Sequence, residues 1–205
     1  MLGGAFFPES RETARTLAAF ATFAVGFAAR PLGDIVFGHF GDRVGRKAML
    51  IVSLLVMGIA TLCIGLLPGY ATIGVTAPLL LVLLRFVQGV GLGGEWGVAV
   101  LMATEHAPQD RRGFYSSFSQ TGPAVGFFLS SGLFLLLTLS LSEEQFALWG
   151  WRIPFLLSIV LVGIGLYVRA TIAETPVFRR AMENGARAKV PFVDMVRAYP
   201  AVLWC

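Results

Sequence analysis

Five long apolar runs, at 17–37, 48–67, 77–104, 114–141 and 153–169, alternate with short polar links. A helix needs roughly 17–25 residues to cross a hydrocarbon core about 30 Å thick, and each run is of that order or longer. Few charges interrupt them: the 205 residues are 56% hydrophobic and only 14% charged, more apolar surface than a soluble domain of this size needs. The expected class is an all-α membrane protein with about five transmembrane helices. Its first partner is therefore the lipid bilayer.

The basic residues report the orientation. Arg43, Arg46 and Lys47 lie in the first link, and Arg111 and Arg112 in the third. Arg169, Arg179, Arg180, Arg187, Lys189 and Arg197 close or follow the fifth run, whereas the other side holds only Arg11, Arg15 and Arg152. Lys and Arg are retained on the cytoplasmic side. That puts 38–47, 105–113 and 172–205 inside and 1–16 outside as an outer loop. Five spans is an odd number, so the two ends of the sequence fall on opposite sides. The net charge of +4 is dispersed over helix ends, with no basic face and interleaved aromatics, and so does not indicate nucleic acid. Cys63 and Cys205 have neither disulfide nor metal-ligand spacing, and no metal or organic cofactor is expected.

Apart from Arg169, the last residue of the fifth run, four charges fall within the runs: Arg30, Asp34, Arg85 and Glu95. An isolated charge at the bilayer centre costs at least about 2.5–3.5 kcal/mol, so such residues are functional candidates. Arg30 and Asp34, four apart, share a helical face and can pair. Pro31 removes a backbone donor between them and can kink the helix. Arg85 and Glu95 are about 15 Å apart along one helix at 1.5 Å per residue, too far to meet. Arg30 lies at a depth closer to Glu95.

Gly89, Gly93 and Gly97 are spaced by four in that same run, and Gly122 and Gly126 in the next. Small residues at this spacing let a neighbouring backbone approach, and both sets are expected to pack helices. Residues 89–94 also satisfy G-x-G-x-x-G. A dinucleotide site needs that pattern at a strand-to-helix turn, and mid-membrane it has no such context. The only histidines, His39 and His106, lie in links, and no H-E-x-x-H or phosphate loop occurs, so catalysis is not expected.

The first link carries a more specific pattern. Gly38, Phe40, Gly41, Asp42, Arg43, Gly45, Arg46, Lys47 and Leu50 stand in the order G-x-[LF]-[GA]-D-R-x-G-R-[RK]-x-x-L. Position by position this resembles the signature joining helices 2 and 3 in the major facilitator superfamily. Arg85-x-x-Gln88-Gly89-x-Gly91 resembles the R-x-x-Q-G-x-G signature of helix 4. Gly93-Gly94-Glu95-Trp96 and Glu174-Thr175-Pro176-Val177-Phe178 resemble patterns of the metabolite:proton symporter branch.

The resemblance implies helices 2–6 of a twelve-helix carrier. Residues 172–205 would be the central cytoplasmic loop and a cut start of the second half, while helix 1 and the rest of the second half, the partner the first half works against, would lie outside these 205 residues. It implies a secondary transporter of the bacterial inner membrane, moving a small polar metabolite, an organic acid or a zwitterionic osmolyte, with the proton as coupling ion. By the same resemblance Arg85 is the charge on the coupling helix and Glu95 the carboxyl that loads a proton. Arg30 partners Glu95 or an anionic substrate, Asp34 is a further coupling candidate, and the Asp42 link is a gate latch. Two alternatives stay open. One is a fragment that inserts without transporting. The other is an antiporter, because Gly122-Pro123-x-x-Gly126 partly matches the antiporter signature of helix 5, although Phe127 stands where that signature has glycine.

Overall fold

The computed structural model describes residue 6 and residues 12–172. Five helices long and apolar enough to cross a membrane run through them. They are α1 (Glu12–Val44), α2 (Arg46–Leu66), α4 (Thr76–His106), α5 (Arg112–Ser140) and α7 (Ile153–Thr171). Two short helices, α3 (Tyr70–Ile73) and α6 (Glu143–Leu148), sit in the links at one end of the bundle. The expected cytoplasmic segment, including 174–178, lies outside the described residues except for Ile172.

The first link departs from expectation. The sequence pattern predicts a turn over 38–47, but Gly38, Gly41, Asp42 and Arg43 are helical and α1 continues to Val44. The chain turns at one residue, Gly45, whose φ of 117° and ψ of 145° suit glycine and strain a side chain. The Gly45 N–H still closes α1 on the Gly41 carbonyl at 3.1 Å, and its own carbonyl receives the Met49 N–H at 3.3 Å. One residue therefore reverses the chain with its own N–H and carbonyl both bonded. At the other boundary α1 begins at Glu12, so 12–16 are helical where an outer loop is expected. Pro31 is accommodated inside α1 without ending it.

The short α6 has a cause legible in the sequence. Ser142 and Gln145 form a reciprocal capping box: the Gln145 N–H donates to Ser142 Oγ at 3.3 Å, and the Ser142 N–H donates to Gln145 Oε1 at 3.2 Å. Its Phe146 then buries beneath the link.

Packing is uneven. α1 lies along α4, α4 along α2, and α2 along α7. A cluster of Phe6, Ile64, Leu67, Ala77, Leu81, Phe146 and Trp151 closes one end, with Phe6 edge-on to Trp151 at 5.8 Å. Leu50, Val98 and Met102 form a smaller cluster toward the other end. Among the described residues, none of α5 or α7 is buried. Their apolar side chains need no aqueous cover, because lipid is as apolar as they are.

Candidate functional site

The site is built on the contact between α1 and α4. A Cβ on Gly89 would stand 2.0 Å from the Gly26 carbonyl oxygen, and one on Gly93 would stand 2.2 Å from that of Arg30. From the other side, a Cβ on Gly33 would stand 2.1 Å from the Val90 oxygen. The two backbones touch, and only glycine allows it. The paired numbers rise together, 26 with 89 and 30 with 93, so the helices run parallel. Gly97 is eight residues beyond Gly89, and at about 100° per residue it has rotated roughly 80° off that face. Nothing stands within 4 Å of a Cβ there, nor at Gly122 or Gly126. The expected stripe is thus shortened to Gly89 and Gly93. Gly122 and Gly126 belong to α5, which packs only lightly on its neighbours.

Toward the end that holds Phe6 and Trp151, α4 presents Arg85 to a cavity of about 1480 Å³ between α1, α2, α4, α5 and α7. Arg85 Nη1 donates to Gln88 Oε1 at 2.9 Å, Gln88 Nε2 donates to Thr61 Oγ1 at 2.7 Å, and Thr61 donates to the Met57 carbonyl at 2.7 Å. The guanidinium lies 4.5 Å from the centroid of Phe23. Its Nε is buried with no hydrogen-bond partner. Among the described residues no carboxylate pairs with it. Arg85 is thus a cation held by neutral groups on the wall of an open cavity, which is where an anionic group is electrostatically favoured. Gln88 stands in the signature that singled out Arg85, and Thr61 is the residue that sequence reasoning missed here. Thr61 lies 27 positions from Gln88 on another helix, so no local spacing announces it.

At the opposite end the charges form cross-helix pairs. Glu95 does not meet Arg85, and it does not meet Arg30 either. Arg30 stacks instead on Phe27, 4.1 Å from its centroid, and closes no salt bridge with Asp34, which is exposed. One turn lies between Arg30 and Phe27, and the aromatic face offers the guanidinium an attractive surface without bending its stem back toward Asp34. The partner of Glu95 is Arg169 of α7, whose Nη2 donates to Glu95 Oε1. The Arg169 Nη1 donates to the Leu50 carbonyl of α2 at 2.5 Å. Nearer the helix ends Arg46 pairs with Glu105, and Lys47 Nζ donates to the Ala170 carbonyl at 2.6 Å. Three of the basic residues read from the sequence as orientation signals therefore tie α2, α4 and α7 together.

Of the residues of the first link, Arg46 and Lys47 make these ties and Gly45 makes the turn. Arg43 is exposed, a Cβ on Gly41 would reach only the Met49 side chain at 3.6 Å, and one on Gly38 would meet nothing within 4 Å. Asp42 lies in the last turn of α1. No group of three or more His, Cys, Asp or Glu side chains able to hold a metal occurs among the described residues.

Comparison with known proteins follows the same architecture. Residues 5–192 match the sugar (and other) transporter family. The chain is 60% identical over 197 residues to the inner membrane metabolite transport protein YhjE of Escherichia coli, covering 96% of this chain and 45% of that one. It is 51% identical over 197 residues to the shikimate transporter of Escherichia coli, covering 95% of this chain and 45% of the relative. The chain thus spans less than half the length of these relatives. Among solved structures, the xylose transporter XylE from Escherichia coli, in a partially occluded inward-open conformation, superposes with a TM-score of 0.79 at 20% identity. That superposition covers 91% of this chain and 46% of XylE, and it shows a shared fold. Parallel α1 and α4 in glycine contact, five spanning helices and a family match over most of the sequence lead to one conclusion: the chain belongs to the sugar (and other) transporter family of the major facilitator superfamily, a family of multi-pass membrane transporters rather than enzymes.

Proposed function

We propose that this chain is part of a secondary transporter of the bacterial inner membrane that carries a small polar metabolite, an organic acid or a zwitterionic osmolyte, together with protons. The observation that carries this reading is Arg85: a half-buried guanidinium whose Nε has no hydrogen-bond partner, without a carboxylate partner among the described residues, facing a cavity of about 1480 Å³. Both substrate classes bear a carboxylate that such a cation attracts. The names of the two relatives, a metabolite transport protein and a shikimate transporter, agree with the substrate class.

In this reading Arg85 draws the anionic group into the cavity and Glu95 takes up and releases the proton. Arg30 and Asp34 flank the contact of α1 with α4 and adjust the charge balance there. Asp42 and the turn at Gly45 form the gate that closes against the second half of the carrier. Secondary transporters of this architecture rock two repeats around a midplane site. The end holding Arg46, Lys47 and Arg169 is cytoplasmic by the charge rule. An impermeant thiol reagent added outside intact cells is expected to label cysteines placed at Tyr70 and Glu144 but not at Arg111. The reverse pattern would invert the orientation.

The transport test uses the full-length carrier in vesicles, against a panel of carboxylate solutes, with and without an inward proton gradient. Wild type is expected to accumulate at least one solute only with the gradient. Glu95→Gln is expected to abolish accumulation but keep counterflow exchange, which needs no net proton movement. Gradient-driven accumulation by Glu95→Gln at the wild-type level would remove Glu95 from the coupling role.

A second reading, that these residues insert without transporting on their own, is favoured by α5, none of whose residues is buried. Uptake by vesicles holding this chain alone decides between the two.

A further inference from the structure

Glu95 and Arg169 form a polar link that no local spacing suggests. They are 74 positions apart, and among the described residues theirs is the single hydrogen-bonded side-chain tie between α4 and α7. α7 itself packs on α2, so Arg169 reaches past α2 to find the carboxylate. Three details set the pair apart from an ordinary surface salt bridge. Both side chains are largely buried, with 16% of Arg169 and 23% of Glu95 exposed. The second carboxylate oxygen, Glu95 Oε2, is buried and has no hydrogen-bond partner. Arg169 has a second anchor, the Leu50 carbonyl at 2.5 Å.

These details describe a carboxylate that can exchange one positive partner for another. A buried carboxylate left without a cation is strongly unfavourable, so losing Arg169 and gaining a proton belong together. Stranding Arg169 would be equally unfavourable, but the Leu50 carbonyl keeps a hydrogen bond to it after Glu95 is neutralised. The other charged groups described toward this end of the packed elements are engaged or turned away. On α1, Arg30 lies on Phe27 and Asp34 is exposed. On α2, Arg46 is paired with Glu105 of α4, and Lys47 donates to the Ala170 carbonyl. His106 of α4 bonds the Met102 carbonyl, and Arg112 at the start of α5 is exposed.

We infer that Arg169 is the positioning residue of the Glu95 carboxylate: it holds Glu95 Oε1 from α7, competes with the proton for that carboxylate, and retires to the Leu50 carbonyl when the proton wins. This inference rests on Glu95 being the proton-carrying group of the proposed transporter. Arg169 touches no substrate; it acts through Glu95.

The test uses the full-length carrier in proteoliposomes with Glu95→Gln, Arg169→Gln, Arg169→Lys and the double variant Glu95→Gln/Arg169→Gln. Two transport modes are read, gradient-driven accumulation and counterflow exchange, alongside thermal unfolding of each purified variant. Arg169→Gln is expected to lose about tenfold or more in accumulation with counterflow nearly unchanged. Arg169→Lys, which keeps a charge and a donor, is expected to restore most of the loss. Because both residues serve one step, the double variant is expected to fall no further than the worse single one.

Arg169→Gln accumulating at the wild-type level while Glu95→Gln does not would overturn the inference. So would a lowered unfolding temperature with accumulation intact, which is the mark of a purely structural pair. Should Arg169→Gln be too unstable to reconstitute, the Arg169→Lys variant decides: accumulation lost in a stable protein with counterflow also lost would count against the positioning role. Failure of the parent reading looks different, since wild type itself would then ignore the proton gradient.

Discussion

Valine at Gly89 is expected to leave almost no folded protein. The first added atom would stand 2.0 Å from the Gly26 carbonyl oxygen, far inside van der Waals contact. The obstacle is backbone, so no side chain can rotate away, and α1 must part from α4. Overpacking a core costs about 1–3 kcal/mol where side chains can shift, and the cost is greater where they cannot. Parting the helices also forfeits the close contacts at Gly93 and Gly33, because all three glycines serve one interface. With no hydrophobic effect between helices in lipid, those contacts are much of what holds the pair. The informative control is Gly126→Val, made in the same kind of sequence surroundings but with nothing within 4 Å of its Cβ. Monodisperse protein after detergent extraction, measured by size exclusion and thermal unfolding, should be lost for Gly89→Val and kept for Gly126→Val. Equal behaviour of the two would contradict the packing described here.

Arg46→Met should be the most damaging single change at the end of the bundle that holds Arg169, and a second substitution should largely repair it. Arg46 and Glu105 are 17% and 14% exposed, and Glu105 Oε2 already lacks a partner. Removing the arginine leaves a buried carboxylate with no cation. Breaking a fully buried pair in this way costs about 3–5 kcal/mol, and the residual exposure of this one places it toward the lower end. Replacing both partners with apolar residues of similar volume is often neutral, since neither charge then has to be desolvated. Arg46→Met/Glu105→Leu is therefore expected to recover most of the unfolding temperature that Arg46→Met loses. If the double variant were as unstable as the single one, the arginine would matter through packing or through a partner other than Glu105.

The glycine and charge patterns differ in how far each could be read. The four-residue spacing of Gly89, Gly93 and Gly97 announces a packing face, but spacing alone does not say where the neighbouring helix leaves it. Because 3.6 residues make a turn, a strict spacing of four drifts around the helix. Gly97 has left the contact that Gly89 and Gly93 share. In the first link, glycine, aspartate and arginine mark a membrane boundary, yet the helix runs on through most of them. Gly38 and Gly41 tolerate a turn without requiring one. Gly45 requires one, because its φ of 117° is open to glycine and strained for other residues.

By itself the sequence determined the class, the number of spanning helices and the family. These follow from local quantities: the length of apolar runs against the thickness of a bilayer, the side on which Lys and Arg collect, and a signature whose residues are neighbours in the chain. It also singled out Arg85 and Glu95, because a charge within an apolar run is visible without any partner. Only the tertiary structure decided the partners. Arg169 meets Glu95 across 74 positions, Glu105 meets Arg46 across 59, and Thr61 meets Gln88 across 27. The nearby Arg30 and Asp34, four apart and complementary, do not pair. A helix surface brings residues three or four apart to within reach, but the strength of that contact is a few tenths of a kcal/mol when exposed. Burial between helices offers a charge far stronger reasons to choose a distant partner. Those reasons arise from packing, which no one-dimensional pattern contains.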